Sequence, residues 1–392
     1  MPESLDLLLD AELLRLLESQ LLRERRVVKP IDAVHVEIDG RSCVNFCSNN
    51  YLGLTHHPRL ISAMRDSCQS SGAGAAALIS GYTPRHAAAE KAIAAWKSTQ
   101  SAVLLPSGYQ ANHAAVQTLA ALGKSLKPAV RFLIDKLAHA SLLDAVRASG
   151  APWRVFPHNG ISKLQRLLQN ANADQLQVVV TESIFSMDGD EADLTALAKL
   201  KRDHPFVLLL DEAHAGGVYG EDGSGLASER GFGEAADVSI ATFSKAAGVV
   251  GGAICGSEKF CRAVVNLGRA FIFSTSIPPA IAATIEAAIA VMRDEPQRRI
   301  RVRKLSQRFR ANLREGGIEV VTGDSPIIPI IVGSESAAMD LSHRLLSEHF
   351  LVGAVRPPTV PRGTSRLRIT LCCEHSDQEV KELTKVLLRE LK

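Results

Sequence analysis

The chain has 392 residues, of which 46% are hydrophobic, and its formal net charge at pH 7 is only +3. This length and composition are enough for a large buried core and for two or three domains. No basic block with interleaved aromatic residues occurs in the sequence, which disfavours nucleic acid as a partner. The seven cysteines show no CxxC spacing, which disfavours a disulfide framework or a structural metal site and is typical of a reducing compartment.

The first 26 residues are rich in leucine at helical spacing and predict an amphipathic helix. Acidic residues as early as Glu3 and Asp6 argue against a signal or transit peptide. No apolar run in the sequence approaches the length needed to cross a membrane. These features predict a soluble cytoplasmic protein with no membrane partner.

The segment Val34 to Phe46 alternates apolar and polar residues around Asp39-Gly40 and predicts a β-hairpin. An α/β pattern follows, in which continuous apolar runs alternate with helical segments. Such runs predict buried strands in a mostly parallel sheet. The runs are SAVLLPSG, VRFLID, LQVVVTES, FVLLLDEAH, VSIATFSK and GGAICG.

After about Pro278 the pattern changes to long helices and the strands PIIPIIV, VGAVRPP and RLRITL, followed by a last helix opened by the capping-box pair Ser376 and Glu379. We therefore predict three parts. Residues 1–50 are an N-terminal helix and hairpin segment, 51–285 are a large α/β domain, and 286–392 are a smaller C-terminal α+β domain.

Polar residues follow several of the predicted parallel strands, where open sheets bind their ligands. Gly108 opens a helix after the first strand, which favours an anion such as phosphate. Asp211 ends the apolar strand FVLLL, where a lone carboxylate is costly without a nearby cation or a helix to cap. His214 follows it, but the Asp-x-x-His spacing alone is a poor case for a metal site.

Three more loops add candidate residues at strand ends. His139 begins a helix after VRFLID, Ser186 follows LQVVVTES, and VSIAT leads through Thr242 to Lys245 among small residues. A structural histidine and an ordinary turn would also explain the first two of these when taken singly. Together the set favours pyridoxal 5′-phosphate (PLP), with Lys245 as the Schiff-base lysine, Asp211 paired with the pyridinium nitrogen and His139 stacked on the ring.

The sequence resembles the α-oxoamine synthases, a family of fold-type I PLP-dependent transferases. The resemblance covers nearly the whole chain. It is carried by NFCSNNYLGLTHHP, SGYQAN, LAHASLLDA, TESIFSMDGD, DEAHAGGVYGEDGSG, TFSK, FSTSIPP and RPPTVPRGTSRLRITL. The resemblance implies a mostly parallel seven-stranded central sheet. The RPPTVP form of the last segment resembles the form found in the branch of the family that serves biotin synthesis.

The resemblance also implies a role for each matching residue. Gly108 and Tyr109 lie beside the cofactor, while Ser186 and His214 bind the side that carries its phenolic oxygen. Thr242 binds the phosphate, and His139 helps to polarise the thioester oxygen. Three further residues are implied to bind substrate: Arg23, Thr359 and Arg368, the last holding the amino acid carboxylate with its planar fork.

The implied reaction is the decarboxylative condensation of L-alanine with a pimeloyl thioester of coenzyme A or of a carrier protein. In it Lys245 removes the α-proton. A homodimer with shared active sites is implied as well. The sequence departs from the common family pattern at Asn50, at Ala75 to Ala77, and in KAAG and AHAGG, all near the expected cofactor or acyl pocket. These departures affect the identity of the acyl substrate more than that of the cofactor.

Two alternatives remain open on the sequence alone. One is another branch of the same family, such as a glycine C-acetyltransferase, because room for one methyl group is too slight a preference to infer. The other is a non-catalytic partner subunit, which we would expect to lack Lys245. A nicotinamide-dependent dehydrogenase is disfavoured because no G-x-G-x-x-G follows the first strand of the predicted sheet.

Overall fold

The computed structural model describes residues 4–125, 129–172 and 174–391. The helices of these residues are α1 Leu5–Glu18, α2 Pro58–Asp66, α3 Pro84–Trp96, α4 Gly108–Ser125, α5 Ala140–Ala148, α6 Ile161–Gln169, α7 Leu194–Asp203, α8 Leu226–Glu229, α9 Glu258–Leu267, α10 Arg269–Ile272, α11 Pro279–Asp294, α12 Pro296–Glu315, α13 Glu335–Ser347 and α14 Asp377–Glu390. Short 3-10 or π turns lie at Leu54–His56, Ala77–Gly81 and Gly233–Ala235.

The strands of the same residues are β1 Lys29–Pro30, β2 His35–Ile38, β3 Arg41–Asn45, β4 Ser101–Leu105, β5 Ala129–Asp135, β6 Trp153–Phe156, β7 Gln175–Glu182, β8 Val207–Asp211, β9 Val238–Thr242, β10 Gly252–Gly256, β11 Ile327–Gly333, β12 Phe350–Leu351, β13 Gly353–Val355 and β14 Ser365–Thr370. Two compact units share these elements. One unit contains the residues through Ser48, residues 187–189 and residues 304–392. The other contains residues 49–186 and 190–303. None of the described helices is long and apolar enough to cross a membrane.

The larger unit contains the predicted central sheet. Its seven strands run in the order β4-β10-β9-β8-β7-β5-β6, and only β10 is antiparallel to its neighbours. The middle strands are covered on both faces, so that consecutive residues such as Val178, Val179 and Val180 are all fully buried. This continuous burial explains the unbroken apolar runs of the sequence. The predicted fold class is confirmed.

Helix α4 packs closely against the sheet because its buried face is built from alanine. Ala111, Ala114 and Ala115 are fully buried in the same cluster as the strand residues Phe132 and Ile240. Short side chains let the helix backbone approach the strands. The first turn of α4 is thereby held at the carboxyl edge of the sheet.

The smaller unit contains two sheets, in the orders β1-β2-β3-β12 and β11-β14-β13. The predicted hairpin is present as β2 and β3, and both turn residues have positive φ, 50° at Asp39 and 75° at Gly40. Such backbone angles fit the two-residue turns that favour Asp-Gly. The predicted capping box of Ser376 and Glu379 opens α14.

The N-terminal helix is shorter than the sequence predicts. Residues 1–3 of the predicted span lie outside the described residues, and α1 ends at Glu18. Ser19 caps the helix, and Gln20 has a positive φ of 57°, a conformation that stops helical propagation. None of the residues of α1 is buried, and seven of its leucines are exposed.

The unit boundaries differ from the three predicted domain ranges. The N-terminal segment shares a unit with the C-terminal residues because β3 pairs with β12. Helix α11 belongs to the larger unit because it packs against α2 and α3. The first turns of α12 also belong to the larger unit, because the Arg299 guanidinium donates to the carbonyl oxygen of Met292 in α11 at 2.5 Å.

Candidate active site

The predicted cofactor residues all lie in the larger unit, after strands of the central sheet. Gly108 follows β4, His139 follows β5 and Ser186 follows β7. Asp211 is the last residue of β8, and Thr242 is the last residue of β9. His214 and Lys245 lie in the loops that begin after these last two strands.

Asp211 is 4% exposed, and its carboxylate accepts two hydrogen bonds. Its Oδ1 accepts a hydrogen bond from the backbone N–H of Ala213 at 2.9 Å, and its Oδ2 accepts one from Asn112 Nδ2 at 2.8 Å. Hydrogen bonds to the charged form stabilise a carboxylate in a buried site. Both of these donors are neutral. A buried carboxylate in such surroundings fits a cationic ligand atom, such as a pyridinium nitrogen.

His139 is the N-cap residue of α5, and its side chain is exposed. Its Nδ1 accepts from the backbone N–H of Ser141 at 3.2 Å and lies 2.7 Å from Ser141 Oγ. Desolvation lowers the pKa of His139, and the nearby charge of Lys245 lowers it further, whereas Asp211 and Asp144 act in the opposite direction. The imidazole is therefore neutral at pH 7, with a ring face available for stacking.

The first turn of α4 forms a cradle that tolerates no side chain at residue 108. A Cβ added to Gly108 would collide with Thr242 Oγ1, and one added to Gly252 would collide with the backbone of Ser107 and Gly108. The first-turn N–H groups of this 18-residue helix, of which that of Gln110 donates to Ser107 Oγ at 3.2 Å, thus lie beside a threonine hydroxyl, an arrangement that suits phosphate. The Tyr109 ring is exposed and its hydroxyl donates to Asp144 at 3.3 Å.

Lys245 is half-buried in the loop after β9, and its charge lies close enough to His139 and Glu182 to lower the pKa of both. Ser186 and His214 are buried, at 5% and 4% exposure. His214 Nδ1 lies 2.7 Å from the Tyr51 hydroxyl. The structure thus brings Lys245, His139 and Asp211 together, and it brings Gly108 together with Thr242.

The three predicted substrate residues lie in the smaller unit. Arg23 is exposed and donates to the carbonyl oxygen of Pro357 at 2.8 Å. Thr359 is exposed and follows the same turn, its backbone N–H donating to the carbonyl oxygen of Arg356 at 3.1 Å. Arg368 is 8% exposed in β14, the middle strand of its sheet.

Sequence reasoning missed three polar residues around the cofactor candidates. Asn112 and Ser141 link Asp211 to His139 through hydrogen bonds, and Glu182 pairs in register with Asp211 across β7 and β8. Burial raises the pKa of the Glu182 carboxyl well above its usual range, and the neighbouring Asp211 raises it further. All three occur in the motifs SGYQAN, LAHASLLDA and TESIFS, so the signal was present, but their contacts depend on how α4 and α5 are rotated.

Comparison with known proteins decides the family. The protein-family model described as aminotransferase class I and II matches residues 41–387 of this chain. The 8-amino-7-oxononanoate synthase of Methylobacillus flagellatus is 38% identical over 97% of this chain and 95% of its own. That of Cellvibrio japonicus is 36% identical over 99% and 96%.

The chain belongs to the α-oxoamine synthase family. Among solved structures, the serine palmitoyltransferase of Sphingomonas wittichii has a TM-score of 0.90 and 29% identity, over 98% of this chain and 96% of its own. A structure of serine palmitoyltransferase (SPT) with PLP has a TM-score of 0.91 and 27% identity, over 99% of this chain and 98% of its own. As a member of this family the chain is a fold-type I, PLP-dependent transferase.

The residues present in this α-oxoamine synthase fit PLP. The cradle at Gly108 matches the phosphate, the buried carboxylate of Asp211 matches the ring nitrogen, and Lys245 is the amine close to both His139 and Glu182. No group of three or more residues able to hold a metal ion occurs in the part of the chain that the structure describes.

Proposed function

We propose that this α-oxoamine synthase condenses L-alanine with a pimeloyl thioester, releasing CO2 and coenzyme A or a carrier protein and giving 8-amino-7-oxononanoate for biotin. The observation that carries the proposal is the match of 36–38% identity to synthases of that name over nearly the whole chain. The site contributes the chemistry that such a reaction needs, namely an amine, a buried anion and a phosphate cradle.

Bound PLP supplies an electron sink that stabilises negative charge at the α-carbon of the amino acid. The residues of this chain hold the cofactor for that purpose. We assign the phosphate to the first turn of α4 at Gly108 and Tyr109 and to Thr242, and the side with the phenolic oxygen to Ser186 and His214. The burial and the two hydrogen bonds of the Asp211 carboxylate support its pairing with the ring nitrogen.

Lys245 acts as both the attachment point of the cofactor and the base of the reaction. Its amine would hold PLP, and when it is not bonded to the cofactor it would take the proton from the alanine α-carbon. The nearby His139 is neutral, so that its ring stacks on the cofactor without adding positive charge. Its imidazole also donates a hydrogen bond to the thioester carbonyl oxygen.

The substrate residues are assigned by chemistry. Arg368 holds the alanine carboxylate, because a guanidinium fork binds both carboxylate oxygens and a buried strand limits its freedom. Arg23 and Thr359 bind the acyl substrate. In the smaller unit the backbone carbonyl oxygen of Pro357 anchors the Arg23 guanidinium, which supports a fixed position for this cation.

A homodimer that completes each active site from two subunits, located in the cytoplasm, is part of the proposal. The seven exposed leucines of α1 support the association of subunits, because so many exposed apolar side chains on one helix are typical of an interaction site. Leucine is the most frequent residue type in this exposed helix.

A second candidate is another reaction of the same family. Serine palmitoyltransferase structures superpose with TM-scores of 0.90–0.91, whereas the 8-amino-7-oxononanoate synthase of Francisella tularensis gives 0.76 at 25% identity, over 89% of this chain and 98% of its own. The sequence identities favour the synthase, since they reach 38% against 29% for the palmitoyltransferase.

Product identification tests the proposal. The PLP-loaded enzyme is incubated with alanine, glycine or serine, each combined with pimeloyl-, acetyl- or palmitoyl-CoA, and the products are identified by mass spectrometry. We expect alanine with pimeloyl-CoA to give the highest kcat/KM and Lys245→Ala to give no product. A higher kcat/KM for glycine with acetyl-CoA or for serine with palmitoyl-CoA would contradict the proposal, and absence of every product would identify a non-catalytic subunit.

A further inference from the structure

Four polar side chains form a continuous hydrogen-bonded chain beneath the candidate cofactor site. Asn112 on α4 donates through Nδ2 to Asp211 Oδ2 and to Ser141 Oγ, both at 2.8 Å. Ser141 Oγ in turn lies 2.7 Å from His139 Nδ1. Asn112, Ser141 and Asp211 are 2%, 0% and 4% exposed, so that water does not compete for these bonds.

The direction of the first two bonds follows from the acceptor role of Asp211. Its two oxygens accept hydrogen bonds, Oδ1 from the backbone N–H of Ala213 and Oδ2 from Asn112. Asn112 must therefore turn its NH2 group toward Asp211, and the second hydrogen of that group reaches Ser141. The Asn112 Oδ1 atom is left buried with no partner among the described residues. Leaving it so costs free energy, which indicates that the donors of Asn112 are what the site requires.

The direction of the last bond follows from Ser141. Its Oγ accepts from Asn112, so its single hydroxyl proton is free to point to His139 Nδ1. The backbone N–H of Ser141 points to the same nitrogen, at 3.2 Å. A nitrogen that faces an N–H donor is an acceptor, so Nδ1 carries no proton. In a neutral imidazole the remaining proton is then on Nε2.

We propose that Asn112 and Ser141 are positioning residues that hold His139 as the neutral tautomer protonated on Nε2, and that tie this choice to the acceptor role of the Asp211 carboxylate. The charged and titratable groups around the ring are Asp211, Lys245, Asp144 and Glu182. Desolvation and Lys245 together lower the pKa of His139, in accord with a neutral ring.

The consequence for catalysis rests on the proposed function. An imidazole with its proton on Nε2 presents an N–H donor away from α5, which suits an oxygen that gains negative charge, such as the carbonyl oxygen of the attacked thioester. The opposite tautomer would place a lone pair there and repel that oxygen. The network thus selects the donor that the reaction needs.

A simpler role for His139 is that of a helix cap alone. In that case the backbone N–H of Ser141 would suffice for Nδ1, and the hydroxyl of Ser141 and the amide of Asn112 would have no influence on the ring. The two roles are therefore separated by side-chain changes that leave the cap in place.

Nitrogen-15 NMR of the ring tests the proposal without any substrate. The PLP-loaded full-length enzyme is labelled at its histidine ring nitrogens, and the His139 signals are assigned by their loss in His139→Gln. We expect an unprotonated Nδ1 and a protonated Nε2 in the unchanged protein. A protonated Nδ1, or a doubly protonated ring at pH 7, would overturn the proposal, whatever the reaction proves to be.

Two variants with one matched control test the part played by each residue. Asn112→Asp replaces the donors with acceptors, so that the Ser141 hydroxyl turns toward residue 112 and the Nδ1 signal shifts toward the protonated form. Ser141→Ala gives a shift in the same direction, whereas Ser141→Thr keeps the hydroxyl and the normal spectrum. Identical His139 signals in Ser141→Ala and Ser141→Thr would show that the ring is only a cap. Since no turnover is measured, failure of the condensation assay and failure of this test remain distinguishable.

Discussion

At the scale of single residues, the position of Lys245 explains why a charged side chain follows β9 among small neighbours. The residues around it, Ala246 and Ala247, are buried and leave space that larger side chains would fill. A half-buried lysine there lies near His139 and Glu182, and it is the residue on which the proposed chemistry depends.

Changing Lys245 to Ala should abolish the covalent attachment of PLP. The purified enzyme should be yellow, and borohydride reduction followed by peptide mass analysis should find the pyridoxyl group on Lys245. The exposed Lys259 provides the control, because Lys259→Ala should keep colour and label. A label on any other lysine would contradict the assignment.

Arg368 differs from the arginines near it in the same segment. Arg366 is 4% exposed and donates from Nη1 to Asp188 Oδ1 at 2.6 Å within the smaller unit. Arg368 lies near Cys47, where burial raises the pKa of the thiol to about 12 although Arg368 lowers it. Arg362 is exposed.

Arg368→Lys keeps the positive charge but loses the planar fork. We expect the affinity for alanine to fall by roughly 10- to 100-fold, or about 1.4–3 kcal/mol for a charge-assisted pair, without change in the visible spectrum of the bound cofactor. Titration of alanine against that spectrum measures the effect, and Arg362→Lys is the control. An alanine affinity equal to that of Arg362→Lys would move the carboxylate site elsewhere.

At the scale of elements, His158 joins the loops that follow β5 and β7. Its Nδ1 lies 3.2 Å from Asp135 and its Nε2 lies 2.7 Å from Asp190. Despite desolvation, the hydrogen bonds to the two carboxylates raise the pKa of His158 to about 10. The charged ring therefore links two segments that carry site residues, His139 and Ser186.

This linkage should make stability depend on alkaline pH. The folded pKa is above the unfolded value near 6.5, so the stabilisation is complete below about pH 6.5 and is lost as the pH rises through 10. Thermal unfolding of the PLP-loaded enzyme should show a larger fall in Tm between pH 7 and pH 10 than the same measurement on His158→Gln. An equal fall in Tm for the two proteins would show that the interaction of His158 with Asp135 and Asp190 is not the cause of the pH dependence.

Helix α1 presents exposed leucine side chains. Leu9 and Leu13 are each 49% exposed and Leu17 is 54% exposed. If this surface binds a second subunit, changing Leu13 and Leu17 together to Gln should convert the dimer to a monomer, as measured by light scattering. Ile300→Gln, at a residue 50% exposed on α12, should leave the dimer intact. A dimer that survives the double change would place the subunit contact on another surface.

At the scale of the whole molecule, the buried ion pair of Lys97 and Glu212 connects α3 to the residue that follows β8. Their side chains are 4% and 3% exposed, and Glu212 Oε1 also accepts from the backbone N–H of Ala227 at 2.9 Å. Removing one partner leaves an uncompensated buried charge.

Lys97→Met should therefore lower the free energy of unfolding by about 3–5 kcal/mol. The double variant Lys97→Met, Glu212→Gln should lose less, because no lone charge remains. Denaturant unfolding of the PLP-loaded proteins compares the two. A double variant less stable than Lys97→Met would show that burial of the charge is not the dominant cost.

The sequence predicted the central sheet because continuous apolar runs such as that before Asp211 can only be buried on both faces. It predicted Lys245, Asp211 and His139 because each follows such a run. It did not predict the link through Asn112 and Ser141, since hydrogen bonds between helices depend on their rotation and on side-chain direction. It also gave no sign that the N-terminal segment shares a unit with the C-terminal residues, because strand pairing at a distance leaves no local pattern.

The pairing of β3 with β12 has a consequence for how the chain folds as it is synthesised. Residues 49–303, apart from 187–189, make up the larger unit, so that it can fold while the ribosome is still adding the rest. The hairpin of β2 and β3 is synthesised before the larger unit, yet β3 can pair with Phe350 and Leu351 only after the whole of that unit has been made. Until β12 has been made, the hairpin carries an open strand edge, the kind of surface that chaperones and aggregating chains bind.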